Sequence, residues 1–512
     1  MKNIGFFLRD VWRLTRPYFR SEEKWSAWLL LFSIIALNLA MVGMNVVLNF
    51  WNRQFYNALQ GHDFTAFMQL LFTWRDAKGQ LPMPGFTEVV AVYILVFVYA
   101  TYLNQWLQIR WRRWLTARFL DEWLADRAYY RISLTTDENA VGTDNPDQRI
   151  SDDLRDFVNV TLSLGVDFLS NAVSIASFVG ILWSLSGELT VWGVTIPGYM
   201  VWVALVYAVV GTWLTHLIGR PLIPLRFRQQ RVEADFRYAL VRLRENTEGV
   251  ALYGGEAEEK GNLVGRFTNV ITNWWSIMIQ TKRLNALVSG YGQIAVIFPF
   301  VVAAPRYFAR QIELGGLTQT AGAFGQVQGS LSWFVNAYAT LAQWTAVVER
   351  LTTFHRAIVL ARAAAGHGGA MPGTPVRGRA AAEDPKAAAR MAAGGPGLVV
   401  ATDGAVRLDD LTLELPRGGD PLIAHANLVF PPGESVVVTG RSGSGKSTLF
   451  RALAGIWPFG HGNVARPPAE RCLFLPQRPY IPLGSLRHAV AYPLAPEQVG
   501  QEAVVQALTD VG

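Results

Sequence analysis

Long apolar runs alternate with arginine-rich segments through residues 1–360 of this chain. A helix needs about 20 largely apolar residues to cross the hydrocarbon core of a bilayer. Residues 25–48, 89–109, 164–185, 199–218 and 287–308 meet that requirement and predict membrane-spanning helices. A sixth span is expected over 317–348, where Gln326, Gln328, Ser330, Ser332 and Asn336 interrupt the apolar pattern. Bare lipid rejects such a helix, whereas a bundle around a polar cavity accommodates it. The pattern changes at residue 361. Ala, Gly and Pro dominate 361–397 without a steady period, which reads as a flexible linker. Beyond it, 405–415 alternates like a strand, and Pro431, Pro432 and Gly433 mark a turn. Residues 435–439 read as a short β-branched strand and 446–455 as a helix.

The charges orient the spans. Arg9, Arg13, Arg16, Arg20 and Lys24 precede the first span. Arg110, Arg112, Arg113, Arg118, Arg127 and Arg131 follow the second. The fourth is followed by Arg220, Arg226, Arg228, Arg231, Arg237, Arg242 and Arg244, whereas 186–198 holds no Lys or Arg. The positive-inside rule then puts the basic loops and both termini in the cytoplasm. Residues 1–24 interleave cations with Phe6, Phe7, Val11, Trp12, Leu14, Tyr18 and Phe19, ahead of an apolar run of full span length. With no clear small-residue cleavage site, this segment reads as an amphipathic helix on the inner membrane face rather than a signal peptide. Segments 121–160 and 219–283 are too long for connectors and carry charge-rich apolar periods, as in 229–246. They predict helices projecting into the cytoplasm, either carrying motion to a nucleotide-binding part or simply solvated.

Composition agrees with a membrane location: 51% of the 512 residues are hydrophobic and only 17% charged, against about 25% charged in soluble domains. The formal charge of +7 raises nucleic-acid binding, and Arg110, Trp111, Arg112, Arg113 and Trp114 mix cations with stacking rings. Basic span ends with Trp at the headgroup level account for the same residues, so no nucleic-acid partner is expected. The single cysteine, Cys472, excludes an internal disulfide framework and is expected in a buried strand.

The chemistry concentrates in one motif. Gly440, Arg441, Ser442, Gly443, Ser444, Gly445, Lys446 and Ser447 complete a G-x-x-x-x-G-K-[ST] phosphate loop between an expected strand and an expected helix. Its glycines let backbone N–H groups curl around phosphate oxygens, aided by the helix N-terminus. Lys446 is expected to neutralise the β- and γ-phosphates, Ser447 to ligate Mg²⁺, and Thr448 to donate to the α-phosphate. ATP and Mg²⁺ are the implied ligands. A weaker cue is an expected apolar strand, Leu473, Phe474, Leu475 and Pro476, ending in Gln477 and followed by Arg478, Pro479 and Tyr480.

Together with Leu453, Ala454, Gly455, Ile456, Trp457 and Pro458, these motifs resemble the ATP-binding cassette family. The chain is similar to bacterial fused permease/ATPase half-transporters related to the peroxisomal fatty-acyl-CoA transporters and the SbmA/BacA-type permeases. Three membrane-half segments extend the resemblance: residues 55–59 (Phe-Tyr-Asn-Ala-Leu), 145–150 (Asn-Pro-Asp-Gln-Arg-Ile) and 248–256 (Glu-Gly-Val-Ala-Leu-Tyr-Gly-Gly-Glu). It implies a six-span exporter-type membrane domain followed by an α/β P-loop nucleotide-binding domain. It further implies a homodimer in a bacterial inner membrane, and a Q-loop role for Gln477, which senses the γ-phosphate and helps hold Mg²⁺. The expected partition is 1–24, 25–360, 361–397 and 398–512.

After Gln477 the sequence has no LSGGE-like signature, no apolar strand ending in Asp-Glu and no switch histidine, and His488 lies too close to Gln477 to serve. Residues 411–422 offer no aromatic platform for adenine. No complete catalytic set is therefore expected within these residues, which read as a truncated half-transporter that binds ATP without hydrolysing it. The leading function is ATP-dependent movement of a bulky amphipathic substrate such as a peptide, a cobalamin-like compound or a fatty acyl derivative. The alternatives are a membrane-anchored nucleotide-binding protein without transport and a proton-driven permease. Asn38, Asn45, Asn104, Gln105, Gln108, Asn171, Gln293, Gln326, Gln328 and Asn336 are the candidate cavity residues. Amides of this kind also bond between helices.

Overall fold

The computed structural model describes residues 4–72, 83–135, 145–191, 194–363, 395–416, 419–477 and 479–511. They cluster into two compact units, one built from residues of 1–120 and 145–354, the other from 121–144 and 355–512. Most of the expected linker, 364–394, lies outside the described residues, as does Arg478.

The helical part runs α1 (Ile4–Thr15), α2 (Lys24–Gln60), α3 (Phe64–Phe72), α4 (Phe86–Leu124), α5 (Ala128–Thr135), α6 (Pro146–Gln148) and α7 (Leu154–Ser186). A small hairpin, β1 (Glu188–Val191) and β2 (Val194–Pro197), leads to α8 (Tyr199–Gly219). Then come α9 (Leu222–Glu245), α10 (Thr247–Tyr253), α11 (Glu256–Phe308) and α12 (Leu314–Ala363). Among the described residues, 5 helices are long and apolar enough to cross a membrane, with mean hydropathy of 1.7 to 2.2 over their best windows. Each contains one of the first five predicted spans. The sixth lies inside α12, a continuous helix whose Gln, Asn and Ser positions keep its hydropathy low.

Several helices outrun the bilayer. At about 1.5 Å per residue, the 53 residues of α11 extend about 80 Å against a hydrocarbon core of about 30 Å. The long segments expected to leave the membrane are accordingly helical over α9, α10 and the first half of α11.

The Arg/Trp cluster of α4 is used internally. Trp111 is buried and stacks on buried Tyr18 with ring centroids 5.7 Å apart. Arg110 and Arg113 hold Glu23 at 3.0 and 2.8 Å. Burial, followed by the nearby Glu23 carboxylate, pushes the Tyr18 phenol up to about 12. Elsewhere Phe178 and Leu182 of α7, Tyr199, Met200 and Ala204 of α8, and Phe324 of α12 form an apolar core. Tyr207 of α8 and Tyr291 of α11 stack at 4.3 Å, and each hydroxyl donates to the other's backbone carbonyl, at 2.7 and 2.6 Å.

A π-helical turn over Arg149–Asp153 joins α6 to α7 and aims Asp153 at two arginines. Arg149 Nη1 donates to Asp153 Oδ2 at 2.7 Å, and Arg350 of α12 approaches the same carboxylate through Nε at 2.9 Å and Nη2 at 2.5 Å. Asp153 and Arg149 are buried and Arg350 is half-buried, and the triad ties α7 to α12.

The second unit centres on β3 (Gly397–Val400), β4 (Val406–Leu413), β5 (Ile423–Phe430), α13 (Lys446–Leu453) and β6 (Gly460–Arg466), followed by α14 (Leu486–Ala491) and α15 (Gln501–Val511). The sheet order is β3-β6-β4-β5, with β4 antiparallel to β5 and β6, and β3 parallel to β6. Leu408, Leu411 and Leu413 of β4 pack with Leu449 and Ala452 of α13 and with Trp457. The expected strand 405–415 is thus β4. Residues 435–439 are not a strand, however, and neither are 472–476. Val437, Leu473 and Leu475 are exposed. A strand exists only with a ladder partner, and among the described residues neither segment pairs with β3 to β6, although β3 and β5 are edge strands. Cys472 consequently sits half-buried outside any strand, its Sγ 3.5 Å from the Pro467 carbonyl.

Candidate functional site: the phosphate loop and the membrane cleft

The loop of residues 440–447 enters α13 through Gly445, which caps the helix at φ +89°, a left-handed conformation that favours glycine. A Cβ there would lie 3.3 Å from Leu422 Cβ, so the loop also rests closely on the approach to β5. The first bond of the helix joins Leu449 N–H to the Gly445 carbonyl. The N–H groups of Lys446, Ser447 and Thr448 therefore lie in the turn that has no intrahelical acceptor, and no side chain caps it. Donors of this kind at the positive end of a helix fit an anionic oxygen.

Lys446 folds back over its own loop. Its Nζ donates to the carbonyls of Gly440 and Arg441, at 2.7 Å each, and so holds a positive charge within the loop. Ser447 is exposed and Thr448 buried on the first turn, while Arg441, Ser442, Gly443 and Ser444 lie on the exposed rim. The N–H groups and Lys446 fit a polyphosphate, and of the two residues expected to hold its cation only Ser447 lies in the loop. Gln477 is placed differently: it lies exposed on a bend after 472–476, and no contact among the described residues brings it to the loop. The missing sheet pairing of 472–476 leaves that position without a ladder to fix it.

Beneath the loop, α13 packs through Leu449 and Ala452 into the core containing Leu408, Leu411 and Leu413. Leu134 of α5, from the segment between the second and third predicted spans, packs against the same core. Arg131 Nη1 of α5 donates to the Ala361 carbonyl at the end of α12 at 3.3 Å. Glu122 pairs with His355 at 3.1 Å, and Asp126 with Arg362 at 3.1 Å. These contacts were not legible from local patterns, because each joins residues far apart in the chain.

In the first unit, a cleft of about 480 Å³ opens between α2, α11 and α12. Asn52, Tyr56, Thr318 and Gln328 supply its polar groups. Of the expected cavity residues whose side chains are described, only Gln328 lines it. The Asn38 and Asn171 amides bond to carbonyls of their own helices, and Gln108 bonds to Asn104. Asn45 is half-buried, Gln105, Gln293 and Gln326 are exposed outside the cleft, and the Asn336 side chain lies outside the described residues. Asn52 and Tyr56, the latter noted only within the 55–59 motif, were missed as cleft residues because α2 continues past the predicted end of its span at residue 48.

Comparison with known proteins now decides the family. The model described as ABC transporter transmembrane region 2 matches residues 14–308, and that described as ABC transporter matches 423–474. The chain belongs to the ABC transporters. It is 33% identical over 494 residues to an uncharacterized ABC transporter ATP-binding protein of Synechocystis sp., covering 96% of this chain and 67% of the relative. It is 31% identical over 519 residues to ABC transporter D family member 2, chloroplastic, of Arabidopsis thaliana, covering 95% and 67%. Identity to the inner membrane ABC transporter ATP-binding protein YddA of Escherichia coli is 30% over 503 residues, covering 98% and 81%. This ABC transporter chain therefore joins a multi-pass helical membrane region to an ATP-binding region.

Proposed function

We propose that this chain is one half of a homodimeric transporter that couples ATP binding to movement of a bulky amphipathic substrate across a bacterial inner membrane. Peptides, cobalamin-like compounds and fatty acyl derivatives are the candidate cargo classes. The carrying observation is the phosphate loop: three N-terminal N–H groups of α13 without intrahelical acceptors, with Lys446 folded beside them. In this reading residues 440–448 bind the phosphates of ATP, with Lys446 balancing the β- and γ-phosphate charge and Thr448 serving the α-phosphate. The Ser447 hydroxyl would ligate Mg²⁺, which neutralises phosphate oxygens when bound, and Gln477 would join it only by moving to the loop from its exposed bend. The amphipathic helix of 1–24, the membrane domain of 25–360, the linker of 361–397 and the nucleotide-binding part of 398–512 are the working divisions.

The packing of α5 supports a coupling route. Any shift of α13 on nucleotide binding presses on the core that also holds Leu134. Leu252 and Tyr253, exposed at the end of α10, offer an apolar surface to a second chain. The arginine-rich loops support a cytoplasmic position for the nucleotide-binding part. The test is binding of a fluorescent ATP analogue to the purified chain, together with nucleotide-dependent cargo movement in inverted membrane vesicles. Wild type is expected to bind and Lys446→Ala to lose at least tenfold in affinity. Equal affinity of the two would sink the proposal.

A further inference from the structure

The cleft between α2, α11 and α12 has a chemistry narrower than "amphipathic cargo". None of its lining residues is charged. The Asn52 amide and the Tyr56 hydroxyl on its wall have no hydrogen-bond partner among the described residues. Gln328 Nε2 donates to Ser332 Oγ at 3.1 Å and leaves its carbonyl to accept. Behind the wall the surplus continues. Buried Asn49 donates to the Gln319 carbonyl at 3.1 Å while its own Oδ1 is unpartnered. Gln319 is fully buried with both amide atoms unpartnered. A Cβ at Gly322, which lines the cleft, would lie 3.1 Å from Asn49 Nδ2. The buried amide is thus only one glycine away from the opening.

We infer that this cleft takes an uncharged, amide-bearing ligand, of the chemistry of a peptide backbone, as the segment of cargo held in the membrane region. The inference rests on the transport reading and deepens it. The half-buried amides and hydroxyl of the wall offer both donors and acceptors, which suits a ligand that donates and accepts in turn. A hydrocarbon chain gives them nothing. A carboxylate or phosphate finds no opposite charge on the wall to offset its desolvation. The volume lies within the about 300–1,000 Å³ of ordinary ligand sites. Gly292 and Gly325 face open space, with no atom within 4 Å of a Cβ built on either, so an extended backbone can approach the helices closely.

Those two glycines supply the test. Gly325→Leu and Gly292→Leu fill the cleft from different helices without meeting protein atoms at Cβ, and both favour helix more than glycine does. The chain in phosphatidylcholine nanodiscs would be titrated with a dansyl-labelled, end-blocked neutral tetrapeptide amide and with dansyl-labelled undecanoic acid. Saturable binding of the amide is expected, at least tenfold tighter than the acid, and at least tenfold weaker in each leucine variant. Circular dichroism and affinity for the ATP analogue should match wild type, which separates a plugged cleft from a misfolded chain. Equal binding of the acid, no saturable amide binding, or undiminished amide binding in both variants overturns the inference. Amide binding that persists without nucleotide-dependent movement would instead overturn the transport reading and leave the cleft site standing.

Discussion

At the scale of single residues, charge placement carries the strongest expectations. Among the described residues Lys446 is bonded to carbonyls of its own loop, so its replacement removes no bond to a distant segment there. Lys446→Ala should therefore weaken nucleotide binding without lowering thermal stability. Asp153 is the opposite case. It is buried between Arg149 and Arg350, and removing one partner of a buried pair costs about 3–5 kcal/mol. Asp153→Ala should lower stability by that order in denaturant melts of the detergent-solubilised chain. Replacing Arg149 and Arg350 by methionine in the same variant should recover much of the loss, because the uncompensated charges go with them.

At the scale of elements, the joint of α2 with α12 is built from amides. Asn57 Oδ1 accepts from Gly315 N–H at 2.7 Å and Gln60 Oε1 from Leu314 N–H at 2.7 Å, which caps the start of α12 from another helix. Asn57→Ala should cost about 1 kcal/mol, as for other lost caps, read by thermal unfolding. Gly315→Ala should cost more, because a Cβ at that position would fall 1.9 Å from the Arg53 carbonyl oxygen, and the two helices would have to separate. The 55–59 motif is thereby explained: it continues α2, and its Tyr56 and Asn57 serve the cleft and the cap.

At the scale of the molecule, the helical unit and the phosphate-loop unit are joined along the chain by α4–α5 and by α12. Orientation is tested with single cysteines placed in α9 or α10 on a Cys472→Ser background. A membrane-impermeant maleimide should label them from the cytoplasmic side and not from the periplasm. Homodimer formation should appear as a doubled protein mass in light scattering of the solubilised chain, whereas a monomer mass would contradict the half-transporter reading.

By itself the sequence determined the helical spans, the phosphate loop and the strand that became β4, since each rests on local periodicity or on a contiguous motif. It did not determine which strands pair. Residues 435–439 and 472–476 have β-favouring composition, but a ladder is made by two segments, and β3 to β6 form theirs without them. Nor did it determine the cleft. Of the nine expected span amides whose side chains are described, only Gln328 faces it, because most of the others turn to their own helices or to the exposed surface. Local pattern decides how a residue is wound; which other segment it meets is a property of packing, and that only the tertiary structure decided.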